Sequence, residues 1–364
     1  MITLFCVRPK RFNVGNDAIF LGLRHLLREA FGGLVNLVQV PAIESAEEGA
    51  LWGLTARSIH EMNQYGHGVV VGGGNLYENG QLRLDPHALE ALHPPLLLAS
   101  LSHGRIYDHR HQLVRRTDAM PDAAVAALHR RAVLSWARDD ATHAYLRERG
   151  HDAVLGGCPT LLLSQVPLPR PELGRAASPG ALLSIRHPSL MSIPLRDQAR
   201  LHASVLALVE ALEADGHGPV RLLCHDTRDL AFAMSLGGIE YILPDDVYTH
   251  LELLRRAPLV VSFRLHAFLP CLSFGTPAIN LSYDERSLSL VRSIGMEAWD
   301  IDFVRTRDVV AAVRDRAARL PDLLQLRHAA QPVWEAQERV MREALATFAA
   351  RVRGYAEDPA AAAL

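Results

Sequence analysis

Along the chain, short apolar runs alternate with longer stretches in which apolar positions recur every three or four residues. The runs at 2–7, 34–40, 68–71, 95–99, 132–136 and 152–155 predict buried strands. Between them, 17–30 reads as an amphipathic helix carrying Ile19, Leu21, Leu23, Leu26 and Leu27, with a Gly32-Gly33 stop. A second helix is predicted at 139–149, ending at Gly150. Strands separated by helix-length segments predict βα units around a parallel sheet.

Residues 164–180 break this rhythm with four prolines and two glycines, and the spacing predicts a linker. The pattern then restarts, with strands expected at 181–185, 220–224, 239–243, 259–263 and 278–281. A helix at 197–214 sets Leu201, Val205, Leu208, Val209 and Leu212 on one face, with Gly216 beyond its end. Near the C-terminus, Trp334, Met341, Leu345, Phe348 and Val352 recur at helical spacing. The expected architecture is α/β, with two Rossmann-like domains (1–165 and 181–330) facing across a cleft. A linker at 166–180 joins them. A helix at 331–356 packs across a domain surface, and an Ala-rich tail at 357–364 is frayed.

Composition narrows the chemistry. A net charge of −2 supplies no whole-surface basic field, so nucleic acid is not an expected partner. Lys10 is the only lysine. Any anion site is therefore built from arginine, histidine or backbone amides, and a Schiff-base lysine is excluded outside position 10. Cys6, Cys158, Cys224 and Cys271 form no CxxC pair, which argues against zinc fingers and a disulfide framework. His103, His109 and His111 cluster beside Asp108 without metal-ligand spacing, so no metal is expected. The N-terminal apolar stretch is too short for a signal peptide, and no window reaches about 18 apolar residues. A reduced, cytoplasmic protein is the expectation.

In doubly wound sheets, ligands bind beyond the carboxyl ends of the strands, and polar residues gather at those ends here. Asn13-Val14-Gly15-Asn16-Asp17 lies between the first strand and helix. Gly72-Gly73-Gly74-Asn75 follows the third strand; it is neither a GxGxxG fingerprint nor a P-loop, so no motif supports nucleotide binding. Arg138 sits in Ser135–Asp140, and Arg186-His187 ends the first strand of the second half. His225 lies at another strand tip. Arg264-Leu265-His266 opens an apolar helix, and Tyr283-Asp284-Glu285-Arg286 follows the last long strand. Each has a plain structural reading too: a helix cap, a flexible turn, a surface arginine, an arginine paired to a buried acid.

Taken in order, these segments resemble the polysaccharide pyruvyl transferase family over about residues 10–300. The pattern is an N-x-G-D-like loop, a GGG-x-L turn, the Ser135-to-Asp139 segment, Gly157-Cys158-Pro159, an R-x-H element, and a closing GTP…YDER stretch. The resemblance implies a GT-B-like fold and phosphoenolpyruvate as the donor, with no further cofactor. The acceptor would be a sugar or lipid-linked oligosaccharide, and the product a pyruvate ketal in surface polysaccharide. A lipid-linked acceptor would bring peripheral contact with the inner membrane face. The first domain would then hold the acceptor and the second the donor.

On this reading His266 and Asp17 are the catalytic acid and base. Arg264, Arg138, Arg186, Arg286, Gly73 and Gly74 hold phosphoenolpyruvate, while Asn13, Asn16, Asn75, His187, His225 and Tyr283 face the acceptor or cleft. His266 is expected to titrate near neutrality. Two departures stand out: Asn16 occupies the place of the family's Asp, and Arg286 a place where lysine is common. A glycosyltransferase of the same architecture using a nucleotide sugar, or a non-catalytic glycan-binding relative, are the alternatives.

Overall fold

A computed structural model describes residues 1–9, 13–44, 51–78, 80–174 and 180–358. Lys10 and residues 359–364 of the tail lie outside them, as do 175–179 of the linker.

In the first half the chain runs β1 (Ile2–Arg8), α1 (Val14–Ala30), β2 (Val35–Pro41), α2 (Ala56–Tyr65), β3 (Gly68–Gly74), α3 (Pro86–Glu90) and β4 (Leu96–Leu101). A small hairpin, β5 (Ile106–Tyr107) and β6 (Leu113–Val114), precedes α4 (Asp122–Arg131), β7 (Ala132–Ala137), α5 (Asp140–Glu148) and β8 (Val154–Leu155). Six of these strands form a parallel sheet in the order β2-β1-β3-β4-β7-β8. Its central strands β3 and β4 are buried at every residue. That explains why they read as continuous apolar runs rather than alternating ones.

The second half comprises β9 (Leu182–Ser184), α6 (Leu195–Ala214), β10 (Arg221–Leu223), α7 (Leu230–Ser235), β11 (Tyr241–Ile242), α8 (Val247–Arg256) and β12 (Val260–Ser262). There follow α9 (Leu265–Phe274), β13 (Ala278–Ser282), α10 (Glu285–Ser293), β14 (Ile301–Asp302), α11 (Val309–Ala317) and α12 (Leu320–Glu357). Its sheet is also parallel, ordered β11-β10-β9-β12-β13-β14. Strand order reverses between β1 and β3 in the first sheet and between β9 and β12 in the second. Each reversal sends successive crossovers to opposite sides and opens a crevice at the strands' carboxyl ends.

The halves share their cores. Ala18, Ile19 and Leu21 of α1, with Leu161 and Leu163 of the 3₁₀ turn Pro159–Gln165, pack into the core of the second half. The last helix begins at Leu320, not near 331, because Pro321 sits in its first turn, where a missing N–H is harmless. Its Leu323 and Ala330 join the second core. Met341, Leu345, Phe348 and Val352 join Leu4, Cys6, Leu23 and Leu97 of the first half. One helix thus spans both halves.

The hairpin that carries the His103–His111 neighbourhood also crosses over. Tyr107 is buried in the second core and its hydroxyl donates to Asp302 Oδ2 at 2.5 Å. His111 Nε2 lies 2.9 Å from Asp197. Among the described residues, no group of His, Cys, Asp and Glu could hold a metal ion. No helix among them is long and apolar enough to cross a membrane.

Candidate active site

Both crevices open into one cavity of about 120 Å³ between the halves. The first half contributes Asn13 and Asn16 from the start of α1, Gly74 and Asn75 from the end of β3, and Arg138 after β7. Arg186 follows β9, His225 follows β10, Arg264 and His266 follow β12, and Tyr283 and Arg286 follow β13. Eleven of the residues singled out from the sequence therefore line a single space, and all of them sit at strand ends.

The wall is built by helix caps. Asn13 Oδ1 accepts from Gly15 N at 3.0 Å, and Asn13 Nδ2 donates to Asp226 Oδ2 at 2.6 Å. Val14 N donates to the His225 carbonyl at 3.2 Å, so the α1 N-terminus is fastened to the opposite half. Arg264 stands at the N-cap of α9, and Asp284 caps α10 by accepting from Ser287 N at 3.1 Å. Three helix N-termini thus meet at the cavity, each presenting partial positive charge. The glycine turn lets β3 approach them. Gly73 and Gly74 hold φ of +84° and +91°, and a Cβ on Gly73 would lie 2.7 Å from Ile19 Cγ2. Gly74 lines the cavity, whereas Gly73 serves the turn behind it.

Four arginines reach the space in different electrostatic states. Arg138 is 2% exposed, donates from Nη2 to Ser102 Oγ at 2.8 Å, and leaves Nε without a partner among the described residues. It makes no ion pair among the described residues. A buried cation in that state is unfavourable until an anion arrives. Arg186 donates from Nε to the Leu190 carbonyl at 2.8 Å and likewise makes no ion pair among the described residues. Arg264 fills both roles considered for it. Its Nη2 donates to Asp229 Oδ2 at 2.5 Å and its Nε to the Ile185 carbonyl at 3.2 Å, yet it lines the cavity. Arg286 is held by Asp284 and stands 3.0 Å from Glu78 Oε2.

The histidines depart from expectation. Burial, then the positive charge of Arg138 and Arg286, pushes the His266 pKa well below the usual imidazole value. It is a neutral ring whose Nε2 has no partner among the described residues, able to accept a proton there but without an imidazolium proton to give. His225, whose Nε2 lies 3.0 Å from Ser184 Oγ, is held neutral chiefly by burial. Behind both sits His250, which the sequence reading missed. Its Nε2 donates to the His266 carbonyl at 3.3 Å, its ring centroid is 4.6 Å from that of His225, and burial lowers its pKa to about 4. Its signal was a histidine on the apolar face of a helix beside Leu251 and Leu254.

Besides Gly73, two candidates are not at the cavity. Asp17 is ion-paired with Arg8, because its place in the first turn of α1 sets it beside that buried guanidinium; its role as the base is set aside. His187 turns away to accept from Ser189 N at 3.3 Å, its ring edge-on to Phe232. The carboxylates that do attend the cavity are Asp284 in its lining, Asp226 and Asp229 at Arg264, and Glu78 at Arg286. Asp226 is buried, which works against its charge, but hydrogen bonds from Arg228 and Asn13 hold its pKa below the usual range.

Comparisons with known proteins bear on both fold and family. UDP-GlcNAc 2-epimerase from Neisseria meningitidis, solved with UDP-GlcNAc, is 10% identical with a TM-score of 0.59 over 94% of this chain and 98% of its own. UDP-N-acetylglucosamine 2-epimerase from Rickettsia bellii is 12% identical with a TM-score of 0.58, covering 98% of this chain and 99% of its own. UGT2 of Phytolacca americana, solved with UDP-2-fluoro-glucose and pterostilbene, is 11% identical with a TM-score of 0.54 over 97% and 100%. These likenesses establish the GT-B-like fold. No curated protein sequence matches the chain. The family model for polysaccharide pyruvyl transferase matches residues 13–285, from the cap of α1 to the start of α10. The chain belongs to the polysaccharide pyruvyl transferase family.

Proposed function

We propose that the cavity binds phosphoenolpyruvate and transfers its three-carbon unit onto two hydroxyls of a glycan as a ketal. The observation that carries this reading is Arg138. It is a buried guanidinium without a carboxylate partner among the described residues, and it lines the same cavity as Arg186 and Arg264 of the other half. Phosphoenolpyruvate presents a carboxylate and a phosphate on one small enol, and separate guanidinium groups suit its two anionic ends. The N-termini of α1, α9 and α10 add to the same field.

The neutral His266 suits the proton transfers. As a base it takes the proton of the first sugar hydroxyl, whose oxygen bonds to C2 as the C2=C3 π pair takes up a proton at C3. The anionic donor beside it then favours the imidazolium, which returns that proton to C3 and forms the methyl group. The second hydroxyl oxygen bonds to C2 as the C2–O bond to phosphate breaks. Phosphate leaves with the second proton, so charge and atoms balance. The scheme uses no cofactor besides the donor. The same proposal takes the acceptor to be a glycan or its lipid-linked precursor, met in the cytoplasm at the inner membrane face.

Phosphoenolpyruvate is expected to raise the unfolding temperature, since it binds only the folded state, and to release phosphate only when a glycan acceptor is present. Protection by UDP- or GDP-sugars alone would instead favour a glycosyltransferase. Protection by glycans, with no phosphate release, would favour a binding protein.

A further inference from the structure

Arg286 reaches the cavity with two carboxylates attached to it, one from each half. Asp284 accepts from its Nε at 3.0 Å and from its Nη2. Glu78 does not line the cavity, is 1% exposed, and follows the glycine turn of the first half. Its Oε1 accepts from Gly104 N at 2.6 Å, and its Oε2 stands 3.0 Å from Arg286 Nη1. An isolated antiparallel bridge to Ala119 fixes its backbone. The charges facing it are Arg286 and Asp284 at the start of α10, and Arg116, which is itself paired with Asp118 at 2.8 Å.

One guanidinium between two carboxylates carries a net charge of −1, an unfavourable surface for an arriving anion. A proton on Glu78 Oε2 makes the trio neutral. It also removes the charge attraction that draws Nη1 to that oxygen, while Gly104 can still donate to Oε1. We infer that Glu78 is a positioning residue for the anionic donor: it takes up a proton as an anion enters the cleft and so releases Arg286 Nη1 toward the ligand. Burial, set against Arg286 and Arg116, raises the Glu78 pKa to about 7, which puts the exchange near physiological pH. The identity of the donor rests on the reading above; the coupling needs only an anion.

The test is calorimetric titration of the full chain at pH 8 in buffers of different ionisation enthalpy. Sulfate, which does not titrate near neutrality, is one probe, and phosphoenolpyruvate is the other. The wild type is expected to take up about one proton per anion bound and to lose affinity about tenfold per pH unit above the Glu78 pKa. Glu78→Gln should lose that proton, flatten the pH dependence, and bind sulfate about tenfold more tightly than the wild type at pH 8. Any uptake at His266 is common to both proteins and cancels in the difference. Equal uptake and equal pH slopes in the two proteins overturn the inference. So does binding of sulfate by the wild type at pH 8 with no proton uptake, which decides the matter even if the variant does not fold. If sulfate binds with the Glu78 proton and phosphoenolpyruvate does not bind, the donor assignment falls and the role of Glu78 stands.

Discussion

Asn13 and Asp226 are 213 residues apart in the chain, and the Asn13 amide nitrogen donates to the Asp226 carboxylate at 2.6 Å across the interface between the halves. The oxygen of the same amide caps α1 through Gly15 N. Helix initiation and the docking of the two halves therefore depend on opposite ends of one side chain. That side chain also lines the cavity.

Replacing it should be felt as stability. Asn13→Ala removes the cap and leaves a buried carboxylate oxygen one donor short. The expected loss is about 2–4 kcal/mol, combining about 1 kcal/mol for the cap with about 1–3 kcal/mol for the buried bond. Denaturant unfolding measures this; a loss under about 0.5 kcal/mol would mean that the amide does not hold the halves together.

Arg138 and Arg264 should separate binding from folding. Arg138→Ala removes a buried cation that makes no ion pair among the described residues, so the fold should survive with unchanged or higher stability. Affinity for phosphoenolpyruvate should fall by about 10- to 150-fold, corresponding to roughly 1.5–3 kcal/mol for a charged hydrogen bond. Arg264→Ala strands Asp229, leaving it with the backbone donors of His187 and His225. Removing one partner of a buried ion pair costs about 3–5 kcal/mol, so this variant should unfold readily. Melting curves and ligand titration of the two variants give the contrast, and similar melting temperatures would refute it.

Gly15 marks how closely the halves approach. A Cβ there would lie 2.9 Å from His266 Cβ, 3.1 Å from Asn13 Oδ1 and 3.2 Å from His225 Nδ1. Gly15→Ala should force the start of α1 away from both histidines, destabilise the protein by about 1–3 kcal/mol, and lower turnover. Wild-type stability and turnover in this variant would show that the helix start yields without cost.

His250 predicts a pH dependence with a definite sign. Its pKa is about 4 in the folded state because of burial and about 6.5 unfolded. The unfolded chain therefore binds the proton first as pH falls, and acid favours unfolding. Stability relative to His250→Asn should fall by roughly 1.4 kcal/mol per pH unit between pH 6.5 and 4, and stay constant above pH 7. Urea titrations of both proteins at several pH values test this, and a constant difference across the range would contradict it.

Much of the cavity could be read at the level of chain position. A polar residue directly after a buried apolar run must lie at a strand's carboxyl end, and parallel sheets bring such ends to one edge. Asn75, Arg138, Arg186, Arg264 and Arg286 all stand just beyond such runs. Asp17 misled because adjacency in sequence does not say which way a first-turn side chain faces, and Arg8 claimed it. The near-neutral expectation for His266 failed because its burial and its two guanidinium neighbours come from other segments. His250 went unnoticed because a histidine on an apolar helix face looks like packing until its carbonyl partner is known.

Taken alone, the order of residues determined the alternation of strand and helix, the two parallel sheets and the polar composition of the strand ends, since each follows from local periodicity and chain connectivity. The three-dimensional packing decided which arginines meet a carboxylate and which do not, which histidines are stripped of protons, and that Glu78 stands against Arg286. Those properties depend on distance and on the exclusion of water between segments far apart in the chain, and no local pattern encodes them.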